Sequence, residues 1–488
     1  MNLDTKIPDV IRETAKTLEN KGFEAFLIGG CVRDLLIDRE PKDWDLTTNA
    51  TPDEIQALFP ESFYENDFGT VGVKTGSESE TLKIVEITPY RLEGKYSDQR
   101  HPDTVRFSKN IEDDIKRRDF TINAIAYNIS KGQIIDLYKG QEDLSAKIIR
   151  TVGEPKARFE EDALRILRAV RFSAELGFMI NTETYNAIFE LKGFMSNVSR
   201  ERIRDEFTKV ILSKNPMIGL NMAQKLEILT FISPELENMV GVAQNKQAHL
   251  YDVWEHSLRA LQHAADKDLS LIIRLSALFH DIAKPQTKRE VGNNTTFYGH
   301  DVIGAKVTRE TLSRLNFSKE IIEKVSNFVR WHMFFSDTEE ITPSAVRRLI
   351  RNVGKENIWD LMEIRKCDRI GSGRPKEEPY RLRKFEAMIE EVMSDPIDVT
   401  MLKINGNVLM SDLKMEAGPK IGFILHALLE EVLDDPTKNT EVFLVKRAGE
   451  LAEMDISILK TLGETGKDAK KEAQEAEVKE IRGKRGVK

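Results

Sequence analysis

The sequence predicts an α+β fold, a small mixed-sheet head followed by an elongated, all-helical neck, body and tail. Three observations carry this. Before about residue 150, strand-like runs such as Phe26–Ile28, Ile84–Thr88 and Gln133–Leu137 alternate with short helical segments. From about residue 155 onward, apolar residues recur at helical spacing instead. The interruptions there fall at Asn215-Pro216, Ser233-Pro234, Asp395-Pro396 and Asp435-Pro436, where proline breaks helices. A strand-rich segment followed by a run of helices is the α+β arrangement.

At 488 residues the chain is long enough for roughly three domains, each with its own core. Ile7, Val10, Ile11, Ala15 and Leu18 recur at helical spacing, so the first element reads as a packed helix and not as a signal peptide. No apolar run approaches a membrane span. Only Cys31 and Cys367 are present, far apart, which fits a reducing, cytoplasmic setting without a disulfide framework. The net charge of −8 opposes polyanion binding as a whole, so nucleic-acid contacts would have to come from local basic clusters.

Taken in order, the first strand runs into Gly29-Gly30, a tight turn from which Arg33 and Asp34 open the next element. On the strand that follows, Asp43 and Asp45 are two apart and share a face, while Trp44 points away. Converging carboxylates suit Mg²⁺, which takes a few protein oxygens plus substrate phosphates. The glycines let backbone N–H groups approach phosphate oxygens, and Arg33 adds positive charge. This combination points to nucleotidyl transfer. Pro52–Phe59 reads as a short helix, and Phe68–Val73 and Val85–Arg91 as strand-like pieces. Glu86 reads as a solvent-facing strand residue, with a third carboxylate beside the pair as the alternative. Arg91–Asp103 is charged, turn-prone and without periodicity, hence a flexible loop. It leads to Arg117-Arg-Asp-Phe-Thr-Ile-Asn-Ala124, where Arg118 is in a position to reach a triphosphate and Asn123 to bond a sugar or the backbone.

Glu161–Phe172 reads as one helix, with Asp162, Arg165, Arg168 and Arg171 stepping along one side. An aspartate only accepts hydrogen bonds and an arginine only donates them. Cytosine and adenine each place a donor beside an acceptor; uracil and guanine present the reverse order. One Asp162–Arg165 pair can therefore accept C and A and reject U and G without a template, because a wrong base leaves buried polar groups unpaired.

Gly29-Gly-Cys-Val-Arg-Asp34 with Asp43-Trp-Asp45, the 117–124 segment, Glu161–Phe172 and Glu201-Arg-Ile-Arg-Asp-Glu-Phe207 together resemble the class II tRNA nucleotidyltransferase and bacterial poly(A) polymerase family, whose head belongs to the polymerase-β superfamily. The resemblance spans about 1–215; Ile404–Val408 and Gly418–Gly422 look like that family's tail, with Asn407 where an aspartate is common. It implies that Asp43 and Asp45 are catalytic and hold Mg²⁺. It implies that Gly30, Arg33, Arg118, Asp162, Arg165, Arg168 and Arg171 contact CTP or ATP, and that the 3′ end of tRNA is the acceptor. The loop at 91–103 favours CCA addition; poly(A) synthesis or A-only addition is the alternative within the family.

His256, His280-Asp281 and Asp368, with His300 and His332 as further candidates, resemble the H…HD…D pattern of HD phosphohydrolases over about 245–370. Imidazoles with carboxylates suit a transition metal and metal-dependent hydrolysis. A reading from another class follows, an HD phosphohydrolase whose head only senses nucleotides. The expected organisation is a nucleotidyltransferase head at 1–150, a helical neck with the nucleotide-recognition helix at 151–225, an HD-type domain at 226–395, an RNA-binding helical tail at 396–462 and a charged, disordered terminus at 463–488. Arginine clusters at 200–204 and 347–351, and Arg374, Lys376, Arg381, Arg383 and Lys384, are read as tracking RNA phosphates.

Overall fold

The computed structural model describes residues 3–65, 69–94, 104–244, 250–291, 294–334, 341–456 and 458–459. It is α+β, with the strands gathered in the head and helices dominating thereafter. Of the stretch 91–103 read as a loop, Arg91–Glu93 form a strand because they pair with Val105–Phe107; the rest from residue 95, Phe68 and the charged terminus lie outside the described residues. Among those described, no helix is long and apolar enough to cross a membrane.

The head opens with α1 (Asp9–Glu19), which buries Ile11, Thr14, Ala15 and Leu18 on one side as its spacing requires. Five strands follow: β1 (Ala25–Ile28), β2 (Asp45–Thr48), β3 (Ser62–Tyr64), β4 (Val71–Lys74) and β5 (Ile84–Pro89). After them come β6 (Arg91–Glu93), β7 (Val105–Phe107), β8 (Ala126–Asn128) and β9 (Gln133–Ile135). The main sheet has seven strands in the order β3-β4-β5-β2-β1-β8-β9, while β6 and β7 pair with each other. It is mixed: β2 runs parallel to β5 and antiparallel to β1. β1 lies near its centre and is buried throughout, which explains why it reads as an unbroken apolar run rather than an alternation. Phe26 and Ile28 pack in a core cluster with Tyr90, Ile115, Ala124, Ala126 and Val152.

The head's helices are α2 (Gly30–Leu36), α3 (Pro52–Leu58), α4 (Ile111–Lys116) and α5 (Gly140–Ala146). Thr51 and Glu54 start α3 with a capping box. Beyond the sheet come α6 (Pro155–Glu161), α7 (Leu164–Leu176), α8 (Thr182–Leu191) and α9 (Arg200–Ile211). The helical part also contains short strands that periodicity does not announce: Ile148–Ile149 pairs with Met179–Ile180, and Arg289–Val291 with Asn294–Thr296. At two or three residues each, they are too short to carry a period-2 signal.

The chain divides into two compact units, 1–326 with 371–373, and 327–370 with 374–488. In the second, Arg347 is buried and donates to the carbonyl of Leu433 at 2.8 Å and to Asp395 at 2.8 Å, and Phe334 stacks on Phe385.

Candidate active site

The turn from β1 into α2 organises the head. Gly29 has φ +83°, a backbone region that L side chains rarely adopt. A Cβ on Gly29 would lie 3.1 Å from Arg118 Nη1 and 3.7 Å from Asp45 Oδ2. One on Gly30 would lie 3.6 Å from Arg33 Nη2 and 3.8 Å from Asp43 Oδ1. Two bare glycines thus face a space bordered by two carboxylates and two guanidiniums. Asp45 opens β2, whereas Asp43 sits just before the strand, so the strand is shorter than the alternation predicts; Trp44 between them is buried. Glu86 is exposed on β5, level with Asp45 in the parallel register.

Burial, then the like charges of Asp43 and Glu86, push the Asp45 carboxyl up to about 7, with Arg118 opposing. Crowded carboxylates with only oxygen donors to offer fit a hard divalent cation such as Mg²⁺. Burial and then Asp45 push the Cys31 thiol up to about 12, and its Sγ lies 3.3 Å from the Ile28 carbonyl. Arg118 Nη2 donates to Asp114 Oδ2 at 3.1 Å, while its buried Nε–H has no hydrogen-bond partner among the described residues.

A second layer holds the arginines. Arg33 donates to Asp34 Oδ1 at 2.9 Å and to Asn123 Oδ1 at 2.8 Å. Asn123 in turn donates to Asp119 Oδ1 at 3.3 Å, and Arg168 Nε to Asp119 Oδ2 at 2.8 Å. The guanidiniums of Arg33, Arg168 and Arg171 lie 5.4, 5.5 and 4.1 Å from the Phe172 ring centroid. Asp119 is the hub of this layer, and its role was not read from the sequence. Its position beside Arg117-Arg118 was visible, but its burial was not. Burial works to raise the Asp119 carboxyl, yet the neighbouring Arg168 guanidinium prevails and lowers it to about 2. Because the folded value lies below the unfolded one, this contribution is complete above about pH 4 and is lost as pH falls through about 2. Asp119→Asn is therefore expected to lower the unfolding free energy by roughly 2 kcal/mol at pH 7. In urea denaturation the gap between variant and parent should close between pH 4 and pH 2; a gap independent of pH would refute the ion-pair account.

The segment 161–172 departs from the single helix the spacing predicts. α6 ends at Glu161, Asp162 is extended at φ −145°, and α7 begins at Leu164. Asp162 Oδ1 accepts the Leu164 N–H at 3.0 Å, the competition with helix backbone that a short carboxylate offers. Its Oδ2 accepts from Arg202 Nη2 at 2.8 Å. Arg165 donates to Glu161 at 2.6 Å and to the carbonyls of Arg158 and Arg117 at 3.1 and 3.2 Å. Asp162 and Arg165 are thus each tethered to other groups. Arg171 Nε meets Glu206 Oε2 at 2.6 Å.

In the first unit a separate cluster forms on the helices Val253–Asp266, Leu271–Phe279 and His300–Arg314 and the turn after the second of them. His256 Nε2 lies 2.9 Å from His280 Nε2, and both are 3.2 Å from Asp281 Oδ2. His300 Nε2 is 3.4 Å from Asp281 Oδ1, and Lys284 Nζ 2.7 Å from its Oδ2. The Nδ1 atoms of His280 and His300 face the carbonyls of Ala277 and Phe297 at 2.8 and 2.7 Å, which turns each Nε2 toward Asp281. Burial opposes ionisation of Asp281, but His280 and Lys284 hold its carboxyl well below the usual range. His332 and Asp368 belong to the second unit.

Several of the arginines read as phosphate contacts also have partners within the protein. Arg200 donates to the Phe231 carbonyl at 3.0 Å, Arg204 to that of Asn316 at 2.6 Å, and Arg202 to Asp162. Arg348 and Arg351 pair with Glu430 at 3.4 and 2.5 Å. Sequence spacing does not distinguish such internal pairs from a solvated basic face.

Comparison with known proteins gives three matching family models: the poly A polymerase head domain over residues 25–150, the probable RNA and SrmB-binding site of polymerase A over 177–240, and the HD domain over 253–370. The chain is 48% identical over 242 residues to a CCA-adding enzyme of Lactobacillus helveticus, covering 48% of this chain and 58% of that protein. It is 31% identical over 447 residues to one of Limosilactobacillus reuteri, covering 90% of this chain and 96% of that one. The chain thus spans little more than half the length of the Lactobacillus helveticus relative. The fold is shared with the Bacillus stearothermophilus CCA-adding enzyme in complex with CTP, at 24% identity and a TM-score of 0.67 over 90% of this chain and 98% of that chain.

Proposed function

The chain belongs to the CCA-adding enzyme family, and from that premise we propose that it adds C, C and A to the 3′ end of tRNA, using CTP and ATP and no template. The observation that supports the reading most directly is the convergence of Asp43, Asp45, Arg33 and Arg118 on Gly29-Gly30. In this reading the 3′-hydroxyl attacks the α-phosphate in line and pyrophosphate leaves; Asp43 and Asp45 would hold Mg²⁺, which would supply charge neutralisation for the triphosphate and a lowered pKa for the hydroxyl. Gly30 lets the backbone close on the phosphates, and Arg118 and Arg33 bind them as fixed donors. Asn123 and Asp34 keep Arg33 from rotating, so less freedom is lost when the nucleotide binds. Asp162 accepts the exocyclic amine of C or A and Arg165 donates to the adjacent ring nitrogen, while Arg168 and Arg171 complete the positive wall around Phe172.

The test is extension of end-labelled tRNA lacking CCA, tRNA ending in CC, and an unstructured RNA, each with CTP, ATP or both. The expected result is addition of C, C and A to the first substrate, then arrest. A single A on the CC substrate alone, or long A tails on unstructured RNA, would replace this reading with an A-adding or poly(A)-synthesising one.

A second reading concerns His256, His280, Asp281 and His300, whose buried nitrogens and carboxylate fit a transition metal. We propose that they serve a metal-dependent phosphohydrolase acting on RNA ends. Protein purified without chelator should carry stoichiometric metal that Asp281→Asn removes while nucleotide addition persists; metal content unchanged by the substitution would sink the assignment.

A further inference from the structure

α7 and the break before it are held from one neighbour at two points. Arg202 reaches Asp162 at 2.8 Å, and Glu206, one helical turn further along α9, meets Arg171 at 2.6 Å. Residues four apart on a helix share a face, so α9 turns one side toward the recognition segment and supplies it with one cation and one anion. Glu206 is buried, and the Arg202 and Asp162 side chains are largely covered. The consequence for Asp162 is geometric. Leu164 N–H occupies Oδ1 and Arg202 Nη2 occupies Oδ2, so the carboxylate is held at both ends and cannot turn about its last bond. Its remaining lone pairs, one on each oxygen, then lie in one fixed plane.

We infer that Arg202 is a specificity-determining positioning residue, which aims Asp162 at the base edge and so sets the preference for C and A over U and G. This rests on the reading of Asp162 as the base acceptor. It assigns Arg202 a task different from phosphate binding. The guanidinium is spent on a carboxylate that a loosened side chain would offer in several orientations. With that freedom the acceptor would still meet an amine, but a swung-away carboxylate would no longer penalise a carbonyl in its place.

The test compares Arg202→Gln and Arg202→Lys with the parent in single-nucleotide extension, measuring kcat/KM for CTP and for UTP, with Asp162→Ala as control. Arg202→Gln is expected to lower the CTP-to-UTP ratio about tenfold, the weight of one hydrogen bond to a charged group. Arg202→Lys, which keeps the charge, should recover part of the loss. The KM for tRNA and its salt dependence should not move, and in the Asp162→Ala background Arg202→Gln should change the ratio no further. If Asp162→Ala loses the ratio and both Arg202 variants keep it, the role of Arg202 is overturned while the base reader stands. If Asp162→Ala keeps the ratio, the base reader itself is overturned and the role of Arg202 with it. A raised KM for tRNA with a salt slope shallower by about one, at an intact ratio, would make Arg202 a phosphate contact instead. Should Arg202→Gln fail to fold, Arg202→Met, which keeps the length of the side chain and removes every donor, decides the matter on the same ratio.

Discussion

Replacing Asp43 with alanine is expected to abolish nucleotide incorporation, by at least about a thousandfold, and to leave the melting temperature close to that of the parent. The two halves of that expectation have separate causes. Asp43 is exposed and lies just before β2, so its loss removes no core packing. Its carboxylate, however, is one of the two that face Gly29-Gly30, and a single remaining aspartate is a poor holder for a strongly hydrated cation. Asp45→Asn separates the effects further. Burial and like charges raise the Asp45 carboxyl to about 7, above its unfolded value, so ionising it costs stability as pH rises from about 4 through 7. At pH 8 the asparagine relieves that cost, and without metal the variant should melt higher than the parent while turning over far more slowly. Single-turnover extension with CTP beside thermal melts at pH 5.5 and pH 8 checks both. Substantial turnover by Asp43→Ala would remove the metal assignment, and a lower melting temperature for Asp45→Asn at pH 8 would remove the electrostatic one.

The contrast between these aspartates shows what was legible beforehand. That Asp43 and Asp45 lie near each other followed from their two-residue spacing beside a glycine pair, although only Asp45 is on the strand that the alternation assumed. The mixed-sheet head was readable from short runs set between turns. The hub at Asp119 was not, since it depends on Arg168 and Asn123 arriving from other elements. The arginines at 200–204 show a different limit: a cationic run reads the same whether or not part of each guanidinium is engaged by an internal carbonyl or carboxylate. Asp162 lies between these cases. Its residue type and place before the arginine series suggested a reader, but helical spacing pairs it with Arg165, whereas the break at Asp162 pairs it with Arg202. Periodicity has no term for a side chain that interrupts its own helix.

That break makes Asp162→Asn the most telling substitution for base choice. The amide is the same size but carries one acceptor and one donor, and the site asks for two acceptors. If its oxygen stays on the Leu164 N–H, the amino group faces Arg202, donor against donor; if the oxygen turns to Arg202, the Leu164 N–H loses its partner. Either way the side chain is no longer held from both ends, and its amino group can meet the carbonyl of uracil or guanine. The kcat/KM for CTP and ATP is expected to fall roughly a hundredfold, from lost charge-assisted bonding. UTP incorporation is expected to rise in absolute terms, which a merely destabilised protein would not show. Extension of tRNA lacking CCA with each of the four nucleotides in turn measures this directly. A uniform loss across all four, with the preference for C and A intact, would mean that Asp162 holds the segment in shape and that the bases are read elsewhere.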